Sequence, residues 1–223
     1  MDSATISDAF AAVQAKLKAA AATAGRIEQD VTLIAVSKQQ QDERIDASLA
    51  AGHRIFGENR VQEANIRWAE RKAVYPDLCI HLIGPLQSNK TADAVRLFDV
   101  IHTVDRPKIA TAIAAEADKQ QKQIECFIQV NTGDEPQKSG IAPAELADFL
   151  AFCRTQAGLF VKGLMCIPPV EEEAAMHFAL LKTLADRHDL ASLSMGMSGD
   201  YEEAVRFGAT HVRVGSALFG ART

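Results

Sequence analysis

The sequence predicts an α/β protein built as one closed (β/α)8 TIM barrel with an extra helix ahead of it. Three observations carry this expectation. Eight short apolar segments alternate along the 223 residues with stretches of helical periodicity. Such alternation implies parallel βαβ units with right-handed crossovers. No Gly/Ser linker, composition shift or low-complexity tract divides the chain, so residues 1–223 read as a single domain; 24.1 kDa suits one such barrel. An open Rossmann-like sheet is the competing architecture, but no Gly-x-Gly-x-x-Gly follows the first strand.

Taken in order, Ser3 to Ala24 is Ala-rich with apolar residues at helical spacing and stops before Gly25; residues 1–25 are the addition packed outside the barrel. Val31 to Val36 is a nearly continuous apolar run, as a strand buried on both faces requires. A helix from Asp42 to Ala51 follows, then a strand at Arg54 to Gly57 and a charged helix from Val61 to Val74. Cys79 to Ile83 is strand-like and Asn89 to Phe98 helical; Val100 to Val104 is a strand, and Pro107, suited to a first helical turn, opens a helix to Gln121. The remaining strands are Ile124 to Val130, Leu159 to Met165, Ser192 to Met195 and His211 to Val214. Their helices are Pro143 to Thr155, Glu171 to His188, Asp200 to Phe207 and the short Ala217 to Phe219.

Composition removes several function classes. With 24 basic and 29 acidic residues the net charge is −5, which offers no footprint for a phosphate backbone, so no nucleic-acid partner is expected. No apolar run approaches a membrane span, mean hydropathy is −0.05, and Met1-Asp2-Ser3-Ala4 lacks the basic start of a signal peptide. A soluble, cytoplasmic protein without a membrane partner is expected. Cys79, Cys126, Cys153 and Cys166 form no Cys-x-x-Cys pair, which fits reduced thiols. The six histidines show no ligand spacing, and no metal is expected.

Chemistry in a barrel sits where strands run out into the βα loops. Lys38, just past the first strand, is an amine that desolvation can make nucleophilic; the plain alternative is a solvated lysine opening the polar Gln39-Gln40-Gln41. Phe56-Gly57-Glu58-Asn59 and Ile83-Gly84-Pro85-Leu86-Gln87-Ser88-Asn89-Lys90 end the second and third strands, where Asn59 and Ser88 also suit helix N-caps. Val130 to Ile141 is a longer polar loop, either a lid or a surface excursion. Ser198 and Gly215-Ser216 follow strands seven and eight, the usual phosphate loops of these barrels, though both serines also suit ordinary caps.

Together these segments resemble the pyridoxal 5′-phosphate homeostasis protein family, single-domain relatives of the alanine racemase barrel. The likeness runs from about residue 31 to the C-terminus. It rests on Ala35-Val36-Ser37-Lys38, Phe56-Gly57-Glu58-Asn59 with Val61-Gln62-Glu63, and His81 to Lys90. Further along it rests on Val130-Asn131 with Lys138-Ser139-Gly140, Gly163-Leu164-Met165 with Ile167-Pro168, Leu193 to Ser198, Val212 to Ser216 and Phe219-Gly220-Ala221-Arg222. The resemblance implies a type III pyridoxal-phosphate fold. In it Lys38 is the Schiff-base lysine, Ser198, Gly215 and Ser216 hold the phosphate, Met197 and Asn59 line the cofactor, and Arg213 faces the pyridine nitrogen. Gln39-Gln40, Arg60 and Gly199 depart from the family pattern beside these positions and bear on loop shape.

Arginine stays charged and cannot accept a proton, so Arg213 in that place leaves the ring nitrogen unprotonated and the ring a weak electron sink. The racemases of the resemblance add a second domain carrying a tyrosine base. Here the eighth unit ends near Thr223, and Tyr75 and Tyr201 lie at helix ends. The expected function is binding, carrying and buffering pyridoxal 5′-phosphate in vitamin B6 homeostasis, with apo-enzymes as recipients, the protein being a monomer without strong catalysis. The alternatives are a small amino-acid racemase or lyase using Lys38 as its only base, and a cofactor-free scaffold.

Overall fold

Strands with apolar side chains on both faces need cover inside and out, and a closed barrel ringed by helices supplies both. The computed structural model describes residues 3–220 and has this form. β1 (Thr32–Val36), β2 (Ile55–Glu58), β3 (Cys79–Leu82), β4 (Val100–Val104), β5 (Glu125–Gln129), β6 (Val161–Met165), β7 (Ser192–Met197) and β8 (His211–Val214) lie side by side in sequence order. Closure is made by β1 on β8, with Thr32 opposite His211 and Ala35 opposite Val214 in parallel register. Outside run α2 (Asp42–Ala50), α3 (Val61–Val74), α4 (Thr91–Leu97), α5 (Pro107–Lys119), α6 (Leu146–Ala151), α7 (Ala174–Arg187), α8 (Tyr201–Arg206) and α9 (Ser216–Phe219). The (β/α)8 architecture expected from the sequence is the one observed.

Most of the apolar core lies between strands and helices, where Phe56, Trp68, Ile80, Leu82 and Phe178 are fully buried. Burial of each such side chain is worth about 1.5–3 kcal/mol. Inside the barrel the filling is different. Val100, Phe127 and Met165 form a small separate cluster. Around it stand the buried polar residues His81, His102, Ser194, His211 and Arg213. The His81 and His211 rings meet at 6.1 Å although β3 and β8 are not paired, a contact that only the lumen allows.

α1 (Ser3–Thr23) lies on the outer ring against α2, α8 and α9. Ile6, Phe10, Val13, Leu17 and Ala20–Ala21 repeat every three or four residues and are all buried, so one stripe of the helix faces the ring. The Phe10 ring meets His53 at 4.8 Å and Phe219 edge-on at 6.3 Å. Beyond the helix, Arg26 donates to the carbonyls of Val205 and Ala209 at 3.1 and 2.8 Å and anchors the connection to β1.

Several boundaries differ from the sequence expectation. β2 includes Glu58 and β7 runs on to Met197, because neighbouring strands pair with them beyond the apolar residues. The single helix expected from Pro143 to Thr155 is a 3₁₀ turn (Pro143–Glu145), α6, and a widened π turn (Phe152–Ala157) closed by Gly158 in the left-handed region. The helix expected from Glu171 begins at Ala174, and Glu172 places its carboxylate 3.2 Å from His177 Nε2. Ala221 and Arg222, part of the last family segment, lie outside the described residues, as do Met1 and Asp2.

Candidate functional site

At the C-terminal ends of the strands a cavity of about 470 Å³ opens, and all seven residues singled out in the sequence line it: Lys38, Asn59, Met197, Ser198, Arg213, Gly215 and Ser216. They come from four strand ends, β1, β2, β7 and β8, which barrel closure brings round one mouth. A second cavity of about 320 Å³ adjoins it through the shared Asn59, Ile83 and Ile167, and Lys138 and Ser139 of the loop after β5 lie there.

Lys38 is half-buried on a tight turn. Gln39 takes a left-handed φ of 58°, and Gln40 N–H donates back to the Ser37 carbonyl at 3.1 Å. The turn is clamped from α3. Arg67 donates through Nη1 to the Ser37 carbonyl and through Nη2 to the Gln40 carbonyl, both at 2.8 Å, so it spans Lys38 on either side. Arg67 is held in turn by Glu58, which is fully buried. Its Oε1 accepts from Arg67 at 3.0 Å, Trp68 Nε1 at 3.0 Å and Ser37 Oγ at 2.8 Å. The other oxygen, Oε2, is buried without a hydrogen-bond partner. Neither Arg67 nor Trp68 was singled out in the sequence; a carboxylate closing an otherwise apolar strand, at Glu58, was the one available signal.

Asn59 enters the mouth over Gly84. A Cβ at residue 84 would lie 2.3 Å from the Asn59 carbonyl oxygen, so only glycine lets these two loops approach so closely. On the far side, Gly196 (φ +91°) packs its Cα against α8, where a Cβ would fall 2.5 Å from Ala204 Cβ; this turns Met197 and Ser198 towards the cavity. Ser198 does not cap its own helix, whose N-cap is Asp200. Its Oγ instead accepts from Gly215 N–H at 3.1 Å and Ala217 N–H at 3.4 Å. The loops after β7 and β8 are thereby joined, and the Ser198 hydroxyl proton remains to be donated. Ser216 is exposed as the first residue of α9.

Arg213 is the buried charge of the site. Its Nη1 donates to Ser194 Oγ at 2.6 Å and its Nη2 to the Cys166 carbonyl at 2.8 Å. Among the described residues no carboxylate accepts a hydrogen bond from it. Burial pulls the guanidinium below its ordinary value, with Cys166 and Asp200 opposing; it stays charged. Burial pushes the Cys166 thiol up to about 12, so that sulfur is no nucleophile. Among the described residues no group of three His, Cys, Asp or Glu side chains is placed to hold a metal ion.

The alanine racemase N-terminal domain family matches residues 10–223. The chain is 41% identical to a pyridoxal phosphate homeostasis protein of Escherichia coli K12 over 225 aligned residues, 96% of this chain and 95% of that protein. It is 42% identical to the protein of the same name from Pseudomonas aeruginosa over 223 aligned residues, 98% and 96% of the two chains. Its fold superposes on PipY of Synechococcus elongatus PCC7942 with pyridoxal phosphate bound, at a TM-score of 0.82 and 36% identity over 96% of this chain and all of that one. Alike in fold, in domain match and in sequence along nearly its whole length, the chain belongs to the pyridoxal phosphate homeostasis protein family.

Proposed function

We propose that the protein binds pyridoxal 5′-phosphate at the barrel mouth and carries and buffers it for vitamin B6 homeostasis, without strong catalysis of its own. The observation that carries this is the convergence of Lys38, the joined Ser198–Gly215 loops and the carboxylate-free Arg213 on one cavity. Those residues fit the cofactor chemically: an amine for its aldehyde, hydroxyl and backbone donors for its phosphate, and a pure donor for its ring nitrogen. When bound, pyridoxal phosphate supplies an aldehyde that forms a Schiff base with a primary amine and a pyridine ring able to draw electrons.

The chain's own residues do the rest. Lys38, on a turn that Arg67 keeps in shape, would hold the aldehyde end. Ser198, Gly215 and Ser216 would take the phosphate, and Met197 and Asn59 would line the cofactor. Arg213 would face the ring nitrogen; having no lone pair to receive a proton, it would leave the ring a poor electron sink. Of the described residues lining the cavity only Lys38 and Arg213 carry titratable side chains. That supports holding over turnover, because inverting an amino acid needs a proton donor and an acceptor on opposite faces. Tyr201 is packed in the core and Tyr75 lies under the Arg54 guanidinium, 4.8 Å away, so neither supplies the second group. Apo-enzymes that use the cofactor are the proposed recipients. The proposed state is a monomer. Four free thiols fit a reduced, cytoplasmic setting.

The test is borohydride reduction of protein incubated with pyridoxal phosphate, followed by mass mapping. The adduct is expected on Lys38 and absent from a folded Lys38→Ala variant. An adduct on Lys90 or Lys138 instead overturns the assignment. Conversion of either enantiomer of an amino-acid panel by the loaded protein overturns the non-catalytic part and favours the racemase alternative.

A further inference from the structure

We propose that Ser194, His102 and His81 form a one-way hydrogen-bond chain through the barrel lumen that positions Arg213 against the cavity. The chain is continuous. Arg213 Nη1 reaches Ser194 Oγ at 2.6 Å, Ser194 Oγ lies 2.9 Å from His102 Nδ1, and His102 Nε2 lies 2.8 Å from His81 Nδ1. His81 Nε2 then lies 3.2 Å from Cys79 Sγ, near the N-terminal end of β3. Four strands thus contribute to one line running from the mouth to the opposite end of the barrel. Phe127 stacks on His102 with ring centroids 4.4 Å apart and planes within 6°, which fixes the imidazole plane.

The direction of the chain follows from valence. A guanidinium has no acceptor, so Arg213 must donate to Ser194. Ser194 is fully buried, and its Oγ has no partner among the described residues besides Arg213 and His102. If His102 donated to Ser194 as well, the serine proton would be buried with nowhere to go, at a penalty comparable to a lost hydrogen bond. The serine therefore donates to His102 Nδ1. A neutral imidazole carries one N–H, so His102 donates from Nε2 to His81 Nδ1, and His81 donates from Nε2 to the Cys79 sulfur. Every dipole then turns its negative end towards Arg213. Aligned in a low-dielectric lumen they strengthen one another and offset the desolvation of a cation to which no described carboxylate is hydrogen-bonded. The remaining anchor, the Cys166 carbonyl, is backbone, so among the described residues Ser194 is the one side chain hydrogen-bonded to the guanidinium.

Among the described residues, Arg213 is the cavity-lining residue to which this chain hydrogen-bonds, and the chain acts through it. Its effect on bound cofactor rests on the proposed function above; the tautomer assignment does not. In cofactor-free protein labelled with ¹⁵N-histidine, both His102 and His81 are expected as Nε2–H tautomers, and an Nδ1–H form of His102 overturns the proposal without any variant having to fold. In loaded protein, Ser194→Ala is expected to shift the ¹⁵N resonance of the cofactor's ring nitrogen and to raise the release rate about tenfold, the equivalent of one hydrogen bond. His102→Gln keeps an acceptor and a donor in line and is expected to stay near the parent, whereas His102→Leu follows Ser194→Ala. Equal behaviour of the Gln and Leu variants, or a ring-nitrogen resonance unmoved by Ser194→Ala at full occupancy, overturns the positioning role. If the parent forms no Lys38 adduct, the cofactor reading fails while the tautomer result still decides the chain.

Discussion

Ser198 shows how much one hydroxyl can do. Its oxygen joins two loops by accepting from Gly215 and Ala217 N–H, and its proton is left for a ligand. Ser216 makes no such tie and is exposed on the rim. Hydrogen bonds to a charged group are worth about 1.5–3 kcal/mol each, and unmaking them leaves the partner groups unsatisfied. Replacing both serines by alanine should therefore weaken pyridoxal phosphate binding at least tenfold, by about 1.4 kcal/mol or more, while affinity for unphosphorylated pyridoxal changes little. Of the two single variants, Ser198→Ala should have the larger effect, because it also frees the Gly215 and Ala217 amides. Titration of each variant with both ligands decides it; equal losses for the two ligands would show that the serines only shape the loops.

At the scale of elements, the lysine turn is held by a helix that contributes nothing to the cavity lining. α3 sends Arg67 across the end of β2 to grip Ser37 and Gln40, and Glu58 anchors the grip from inside. The Arg67 side chain is 16% exposed and the Glu58 side chain is fully buried. Removing one partner of a buried pair strands the other charge, a loss of about 3–5 kcal/mol, whereas removing both is far milder. Arg67→Met is thus expected to lower the urea midpoint strongly and to slow borohydride trapping at Lys38, and Arg67→Met/Glu58→Gln to recover most of the stability without restoring the trapping rate. A double variant no more stable than the single one would show that the carboxylate is satisfied by other means.

The whole molecule carries an unusual load of buried imidazole. Burial holds His53 at about 4 and His211 at about 3, and pushes His81 and His102 well below the ordinary 6.5. In each case the unfolded chain binds a proton that the folded chain refuses. Stability is therefore complete above about pH 6.5 and falls as pH drops towards 4. Each histidine that the folded chain keeps neutral adds to this slope, to at most about 1.4 kcal/mol per pH unit. Urea unfolding at pH 7.5, 6 and 5 measures this slope; a stability no different at pH 5 from that at pH 7.5 would contradict neutral imidazoles in the lumen.

By itself the sequence determined the order of strands and helices and the residues at the mouth. Continuous apolar runs and helical periodicities are local properties, and a parallel barrel gathers the C-terminal strand ends whatever their separation in sequence. Lys38, Asn59 and Ser198 were therefore legible from their position after strands, whereas Arg213, within β8, was named only by the family resemblance. What the tertiary structure alone decided are contacts whose partners lie far apart and whose residue types look ordinary in the chain. Arg67 sits among the charged residues of a surface helix, and only the packing of α3 over the end of β2 turns it inward to the lysine turn. His81, His102 and His211 show no ligand spacing, and only barrel closure, which sets the stagger between strands, brings their rings to within about 6 Å. Ser198 reads as a cap for the helix that follows it, yet its hydroxyl joins the next loop, because the left-handed turn at Gly196 aims it across the sheet rather than along the chain.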